Sequence, residues 1–281
     1  MIRASAILGP GAKKSDLAQF RGPEIQFTDE LKQADAVVVL GGDGTVHRHL
    51  PVLVEAQRPV LVVPHGSGND FARALGIGSP RQALAVWSAF QGNKARVRRV
   101  DLGQIRSADD KLTYFCCAGG AGIDAQAARR ASLLPAWLRG SGGYALSLAW
   151  SLLSFAPAEM TVSSAEDGAA LVERVSELGY LVAFANAPAY GHGMRIAPHA
   201  SMEDGRLDIC FVRGTSKLRL MKLFPRVYWG NHLRLREIEY FQTERARIES
   251  KVPLEVHADG EFVSGTPIEV SVVPRALPVI G

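Results

Sequence analysis

The chain has 281 residues, of which 47% are apolar and 21% charged. Those values exclude a disordered chain, a collagen-like repeat and a coiled coil, and the length predicts two domains or one large one at roughly 100–200 residues each. The 32 Lys and Arg against 28 acidic residues leave a formal net charge of +4, too mild to call for nucleic acid but suited to phosphates or an anionic membrane face.

The first hundred residues alternate strand-like and helix-like blocks. Strands are expected at Ile2–Leu8, Ile25–Thr28, Ala36–Leu40 and Pro59–Val63, with helices at Val46–Ala56, Asn69–Leu75 and Arg81–Phe90. Short apolar strands separated by helices predict a parallel sheet covered on both faces. After about Arg98 the texture changes. Strands are expected at Val100–Ile105 and Leu112–Ala118, then helices at Ala121–Ala131 and Pro135–Phe155. Further strands follow at Ala158–Ser163, Arg174–Asn186, Arg206–Val212, Leu233–Tyr240, Ala246–Ser250, Pro253–Ala258 and Pro267–Val273. Successive strands with turns predict antiparallel sheets. The expected fold is therefore α/β plus β. A doubly wound domain covers 1–98, a larger antiparallel sandwich-like domain covers 99–273, and 274–281 are expected to return to the first.

Cys116, Cys117 and Cys210 are the only cysteines, with no CxxC. A disulfide frame and a cysteine zinc site are not expected, and a reducing cytoplasmic compartment is. The apolar run Ala4–Leu8 is shorter than a signal-peptide core of roughly 7–15 residues. Tyr144–Ala158 falls short of the ~20 residues of a membrane span. Any membrane is expected to be met from one side.

The strongest local signal is Gly41-Gly42-Asp43-Gly44-Thr45, between a strand and a helix. Glycines let backbone approach an anion, and a helix start offers free N–H groups. A carboxylate beside such a site is repulsive unless a cation intervenes, so Asp43 points to a metal. The second loop, Pro64-His65-Gly66-Ser67-Gly68-Asn69-Asp70, has the same context, with Asn69 or Asp70 as candidate N-cap. A plain turn feeding a helix remains the alternative for both.

GGDGT followed by G-S-G-N-D-F-A-R resembles the diacylglycerol kinase catalytic domain family of lipid kinases. Phe184-Ala185-Asn186, Tyr190-Gly191-His192-Gly193-Met194, Asp204-Gly205-Arg206-Leu207-Asp208 and Asp259-Gly260-Glu261 continue the resemblance through the chain. His47 and Arg48 replace the usual Asn and Glu, and Ser67 the usual Thr.

The resemblance implies ATP and Mg²⁺ as cofactors and phosphoryl transfer to a lipid hydroxyl, with diacylglycerol the first acceptor to consider. It places Gly41, Gly42, Asp43, Gly44, Thr45, Val46 and His47 in the nucleotide cradle, with Thr28, Gly66, Ser67 and Asn69 beside the nucleotide. Asp43, Asp70 and Asp101 are the expected carboxylates around catalytic Mg²⁺. Glu261 matches the proton acceptor, and Asp-Gly before it is also a hairpin signal. Asp204, with the backbone carbonyls of Ser201 and Arg206, matches a structural Mg²⁺ site; a turn before the next strand is the alternative.

The expected partners are a nucleotide and a lipid substrate at a membrane surface, with no nucleic acid; a homodimer is left open. The expected location is cytoplasmic, peripheral to the inner membrane face. A soluble-alcohol kinase of the NAD kinase kind and a nucleotide-binding regulator without turnover stay open. Trp87, Trp137, Trp150 and Trp229 are read as core or half-buried anchors. The basic residues Lys217, Arg219, Lys222 and Arg226 fall on one predicted helix. They fit either a membrane-facing patch or a solvated face.

Overall fold

The computed structural model describes residues 1–133, 147, 150–152, 154–166, 168–191 and 193–281. The chain divides into two compact units, Met1–Asp101 with Pro274–Gly281, and Leu102–Val273. Most of the helix expected over Pro135–Phe155 lies outside the described residues, as do Trp137 and His192.

In the first unit, β1 (Ile2–Leu8), β2 (Ile25–Phe27), β3 (Ala36–Gly41) and β4 (Val60–Pro64) form a parallel ladder in the order β2–β1–β3–β4. Val279, near the chain's end, pairs parallel with Val60 and extends it. Every residue of β3 and β4 is buried, which is why these strands are runs of Val and Leu rather than alternating. The helices are α1 (Asp43–Ala56), α2 (Asp70–Ala74) and α3 (Pro80–Gln91). The start of α3 is written locally. Ser79 Oγ accepts the Gln82 N–H at 3.2 Å, and Pro80 occupies a first-turn position where no N–H is needed. Phe20, Leu40, Leu61, Trp87 and Ile280 are buried in one core, and the Trp87 indole donates to Phe20 O at 3.0 Å.

β5 (Val97–Ser107) leads into the second unit. There β6 (Leu112–Phe115), β7 (Ala118–Gly122), β8 (Ala158–Ala165), β9 (Val172–Ala185), β10 (Leu207–Arg213), β11 (Ile238–Thr243), β12 (Arg245–Ser250), β13 (Glu255–Ala258), β14 (Glu261–Gly265) and β15 (Ile268–Ile280) follow, the last of these returning to the first unit from Pro274. Pairing is antiparallel, in the order β14–β13–β7–β9–β8–β12–β15, with β10 joining β9 to β11 and β6 pairing with β5. Helix α4 (Ile123–Ser132) follows β7, and α5 (Lys217–Leu223) and α6 (Arg226–Trp229) lie between β10 and β11. The middle of the sheet is buried on both faces. Val182, Phe184, Ile209 and Phe211 enter one core, and Leu181, Ala183, Cys210 and Val212 another. Among the described residues, no helix is long and apolar enough to cross a membrane.

Three expectations need correcting. The strand expected over Leu112–Ala118 is two strands, broken at Cys116 and Cys117. The strand expected over Leu233–Tyr240 starts only at Ile238, and Asn231–Arg234 is a 3-10 turn. Its alternation is real in burial, with Arg234 and Arg236 exposed and Glu237 buried, but without a strand ladder. Trp150 and Trp229 are 64% and 67% exposed rather than anchored in a core.

Candidate active site

In the first unit the loops after β1, β3 and β4 meet at the carboxyl ends of parallel strands, the usual ligand position in such sheets. Gly9 N–H donates to Leu40 O at 2.8 Å, and His65 N–H to Gly41 O at 3.0 Å. A His65 ring nitrogen lies 3.0 Å from Gly11 O. Gly42 and Gly66 are back to back: a Cβ on Gly66 would stand 2.5 Å from Gly42 Cα. The two glycine loops therefore form one continuous backbone surface, which side chains at these positions would push apart.

Helix α1 begins at Asp43, not at Val46 as expected, with Gly42 as its extended N-cap residue. Gly44, Thr45, Val46 and His47 thus belong to its first turns rather than to a loop before it. The first-turn N–H groups of a helix lack intrahelical acceptors and attract anions. Thr45 is buried under Gly41, whose added Cβ would meet the Thr45 Cβ at 2.5 Å. The guanidinium of Arg48 turns back onto its own helix, donating to Gly44 O at 3.0 Å.

Asp43 joins the two loops. Its Oδ2 accepts the Asp70 N–H at 3.1 Å and its Oδ1 the Phe71 N–H at 3.0 Å. It therefore caps α2, the task expected of Asn69 or Asp70. Asn69 instead adopts left-handed backbone (φ 59°) and closes its own loop, Oδ1 accepting Gly66 N–H at 2.8 Å and Nδ2 donating to Gly66 O at 2.7 Å. Asp70 is buried and paired with Arg73. The Asp43 and Asp70 carboxylates both face Gly68, where an added Cβ would stand 2.5 and 3.8 Å from their Oδ2 atoms. Ser67 lies exposed in the same loop.

Two expected members are not brought into this group. Asp101 is buried, and its Oδ1 accepts the Arg275 N–H at 2.7 Å, holding a left-handed backbone (φ 52°). Asp43, Asp70 and Asp101 do not form a group of three whose ligand atoms all lie within 4.8 Å of one another. Thr28 follows the Ala4–Phe27 pair, well below the level of Gly41 along the ladder. Its hydroxyl accepts the Glu30 N–H at 3.3 Å, a local turn.

In the second unit, Asp259 and Gly260 form the two-residue turn of the β13–β14 hairpin, with φ of 49° and 87°. Positive φ at both positions is what the Asp-Gly pair supplies. The Asp259 carboxylate accepts the N–H groups of Cys116 and Cys117, each at 2.8 Å. These two cysteines and Asp259 gather ligand-type atoms, and the two backbone hydrogen bonds to the carboxylate anchor the turn. Glu261, next in line, pairs with Ala258 and is half-buried.

A buried pair was not legible in the sequence. Asp124, in the first turn of α4, accepts the Tyr190 hydroxyl at 2.8 Å. Burial pushes its carboxyl up to about 7, against the Tyr190 hydrogen bond that favours the ionised form. Nearby, an apolar cavity is lined by Ile123, Tyr190, Leu220, Leu223, Phe224 and Val227.

The loop before β10 forms a turn at left-handed Gly205 (φ 70°). Asp204 Oδ1 accepts the Arg206 N–H at 3.0 Å, and Ser201 Oγ the Glu203 N–H at 3.3 Å. The Arg206 side chain pairs with Glu166 at 2.7 Å.

Residues 14–105 match the family described as diacylglycerol kinase catalytic domain, and residues 118–281 that described as YegS C-terminal NAD kinase beta sandwich-like domain. A diacylglycerol kinase of Mycobacterium tuberculosis strain H37Rv is 32% identical over 249 residues, 89% of this chain and 77% of that protein. A diacylglycerol kinase of Bacillus subtilis strain 168 is 27% identical over 253 residues, 89% and 78%. A crystal structure of a diacylglycerol kinase from Bacillus anthracis superimposes with a TM-score of 0.67 over 99% of this chain and 96% of that one, at 19% identity. The last likeness is one of fold.

Proposed function

The chain belongs to the diacylglycerol kinase family of lipid kinases and is a phosphotransferase; from that premise we propose that it moves the γ-phosphoryl group of ATP to the hydroxyl of diacylglycerol. The observation that carries this reading is the contact of the two glycine loops at Gly42 and Gly66, beside the start of α1. Phosphoryl transfer needs positioning and charge neutralisation more than covalent help from the protein. Gly41 to His47, with Gly66, Ser67 and Asn69, would cradle the nucleotide.

Mg²⁺, when bound, supplies neutralisation of the phosphate oxygens. Asp43 and Asp70, which share the space at Gly68, are the carboxylates that would hold it. Asp101 is assigned to backbone support at Arg275 instead. Glu261 would take the proton of the acceptor hydroxyl; it follows a turn that Asp259 fastens to Cys116 and Cys117. Asp204, with the carbonyls of Ser201 and Arg206, would hold a second, structural Mg²⁺. Melting of the wild type and Asp204→Ala across a Mg²⁺ titration tests that site: a smaller rise in the variant supports it, and identical shifts reject it.

The three cysteines are buried thiols outside any disulfide, which suits a reducing cytoplasmic compartment. The deciding experiment supplies labelled ATP with a panel of diacylglycerol, sphingoid base, ceramide and soluble alcohols including NAD. Label in phosphatidic acid supports the proposal. Label only in NADP overturns it.

A further inference from the structure

We propose that α5, α6 and the segment to Arg236 form a surface that docks on an anionic lipid bilayer. The inference rests on the lipid-kinase reading, since it says where that enzyme meets its substrate's membrane. Between Asp208 and Glu237 the sequence has seven Lys and Arg and no acidic residue. The chain's net charge is only +4; Arg213, Arg219 and Arg236 pair with Glu177, Glu239 and Glu237, so the positive excess of this stretch is carried by residues such as Lys222, Arg226 and Arg234.

The exposed apolar side chains here are large. Leu218 is 72% exposed, Met221 43% and Trp229 67%. Leu218, Met221 and Lys222 are spaced i, i+3 and i+4, so they share one face of α5. Lys222, Arg226, Arg234 and Arg236 are exposed around them. Apolar side chains ringed by cations suit an interface where the first enter the acyl boundary and the second meet lipid phosphates. Tryptophan favours that depth.

The opposite faces of the same helices are engaged within the unit. Leu220, Leu223, Phe224 and Val227 line the apolar cavity. Arg219 is paired with buried Glu237 at 2.9 Å, and the Arg195 N–H donates to Val227 O at 3.1 Å. The helices are thus fixed from inside, and the outward residues are a separate set. The charge excess selects an anionic bilayer over a neutral one, and the absence of acidic residues argues against a self-complementary contact with a second copy.

The test is sedimentation with vesicles of phosphatidylcholine alone or with phosphatidylglycerol added. Two double variants, Leu218→Glu with Trp229→Glu and Lys222→Glu with Arg226→Glu, are compared with the wild type after melting curves establish that they fold. The wild type should bind the phosphatidylglycerol vesicles and not the neutral ones. Each basic residue near such a leaflet strengthens binding about fivefold, so the charge variant should weaken it by at least about 25-fold. The apolar variant should also lose binding. Wild-type levels of binding in either variant overturn the proposal. So does a wild type that ignores anionic vesicles or instead dimerises through these residues. Turnover of a short-chain diacylglycerol in free solution separates the two readings. Both variants should retain it. If no form phosphorylates it while the vesicle results hold, the kinase reading fails and the docking surface stands.

Discussion

Asp43 caps a helix that begins 27 residues later in the chain: its Oδ1 accepts the Phe71 N–H at 3.0 Å, and its Oδ2 the neighbouring Asp70 N–H at 3.1 Å. The carboxylate expected to serve only a cation also ties one glycine loop to the other. Asp43→Ala should therefore abolish turnover and also lower stability, by about 0.5–2 kcal/mol as for other lost caps. Denaturant melts in the absence of Mg²⁺ measure the second effect. An unchanged midpoint would show that the cap adds nothing.

Gly66→Ala should separate the two loops. The new methyl would face the Gly42 backbone at 2.5 Å, and backbone cannot rotate away as a side chain can. A cost of about 1–3 kcal/mol is expected, the range for forcing atoms into packed structure. Nucleotide affinity should fall as well. Gly76→Ala, where φ is 84° and no atom lies within 4 Å, is the control: it should lower stability through backbone strain without affecting nucleotide binding.

Asp124 makes stability depend on pH. Its folded-state pKa is raised to about 7, above the unfolded carboxylate value. The folded chain then holds a proton that the unfolded chain releases, so this group makes stability fall as pH rises from about 4 to about 7 and adds no further slope above that. The whole effect is roughly 4 kcal/mol. Asp124→Asn should flatten the wild-type curve over that window. Parallel slopes for the two proteins would place the proton elsewhere.

Glu261→Gln keeps the size of the side chain and removes its basic oxygen. Turnover should drop by about 10²–10⁴, with nucleotide affinity nearly unchanged because the cradle residues belong to the first unit. The control within the same turn is Asp259→Asn. It keeps an acceptor for only one of the Cys116 and Cys117 N–H groups, so it should lower stability first. Near-normal turnover in Glu261→Gln would leave that residue as a hairpin position only.

What the sequence showed depended on how far apart the cooperating residues lie. Glycine loops after apolar strands and the Asp259-Gly260 turn are local signals, and each appears in the structure where its pattern placed it. The cap from Asp43 to Phe71, the Asp124–Tyr190 pair and the Asp259 anchor at Cys116 span 28, 66 and 143 residues. No periodicity encodes such pairs. The Leu233–Tyr240 error has another cause. Alternating burial needs only a surface with one wet side, and the cavity beneath His232, Leu235 and Glu237 supplies it without a strand partner.

The first unit contains residues 274–281, with Leu277, Val279 and Ile280 fully buried. During synthesis its sheet therefore stays incomplete until the whole second unit has been made. At about 5–20 residues per second, the wait is roughly 10–35 s. For that interval β4, a run of Val and Leu, has an unpaired edge where Val279 will later sit. Such an edge invites pairing with other nascent chains. Of the two units, this one is thus the earlier to begin emerging and the later to be finished, so its yield will depend on how well the cell shields that edge in the meantime.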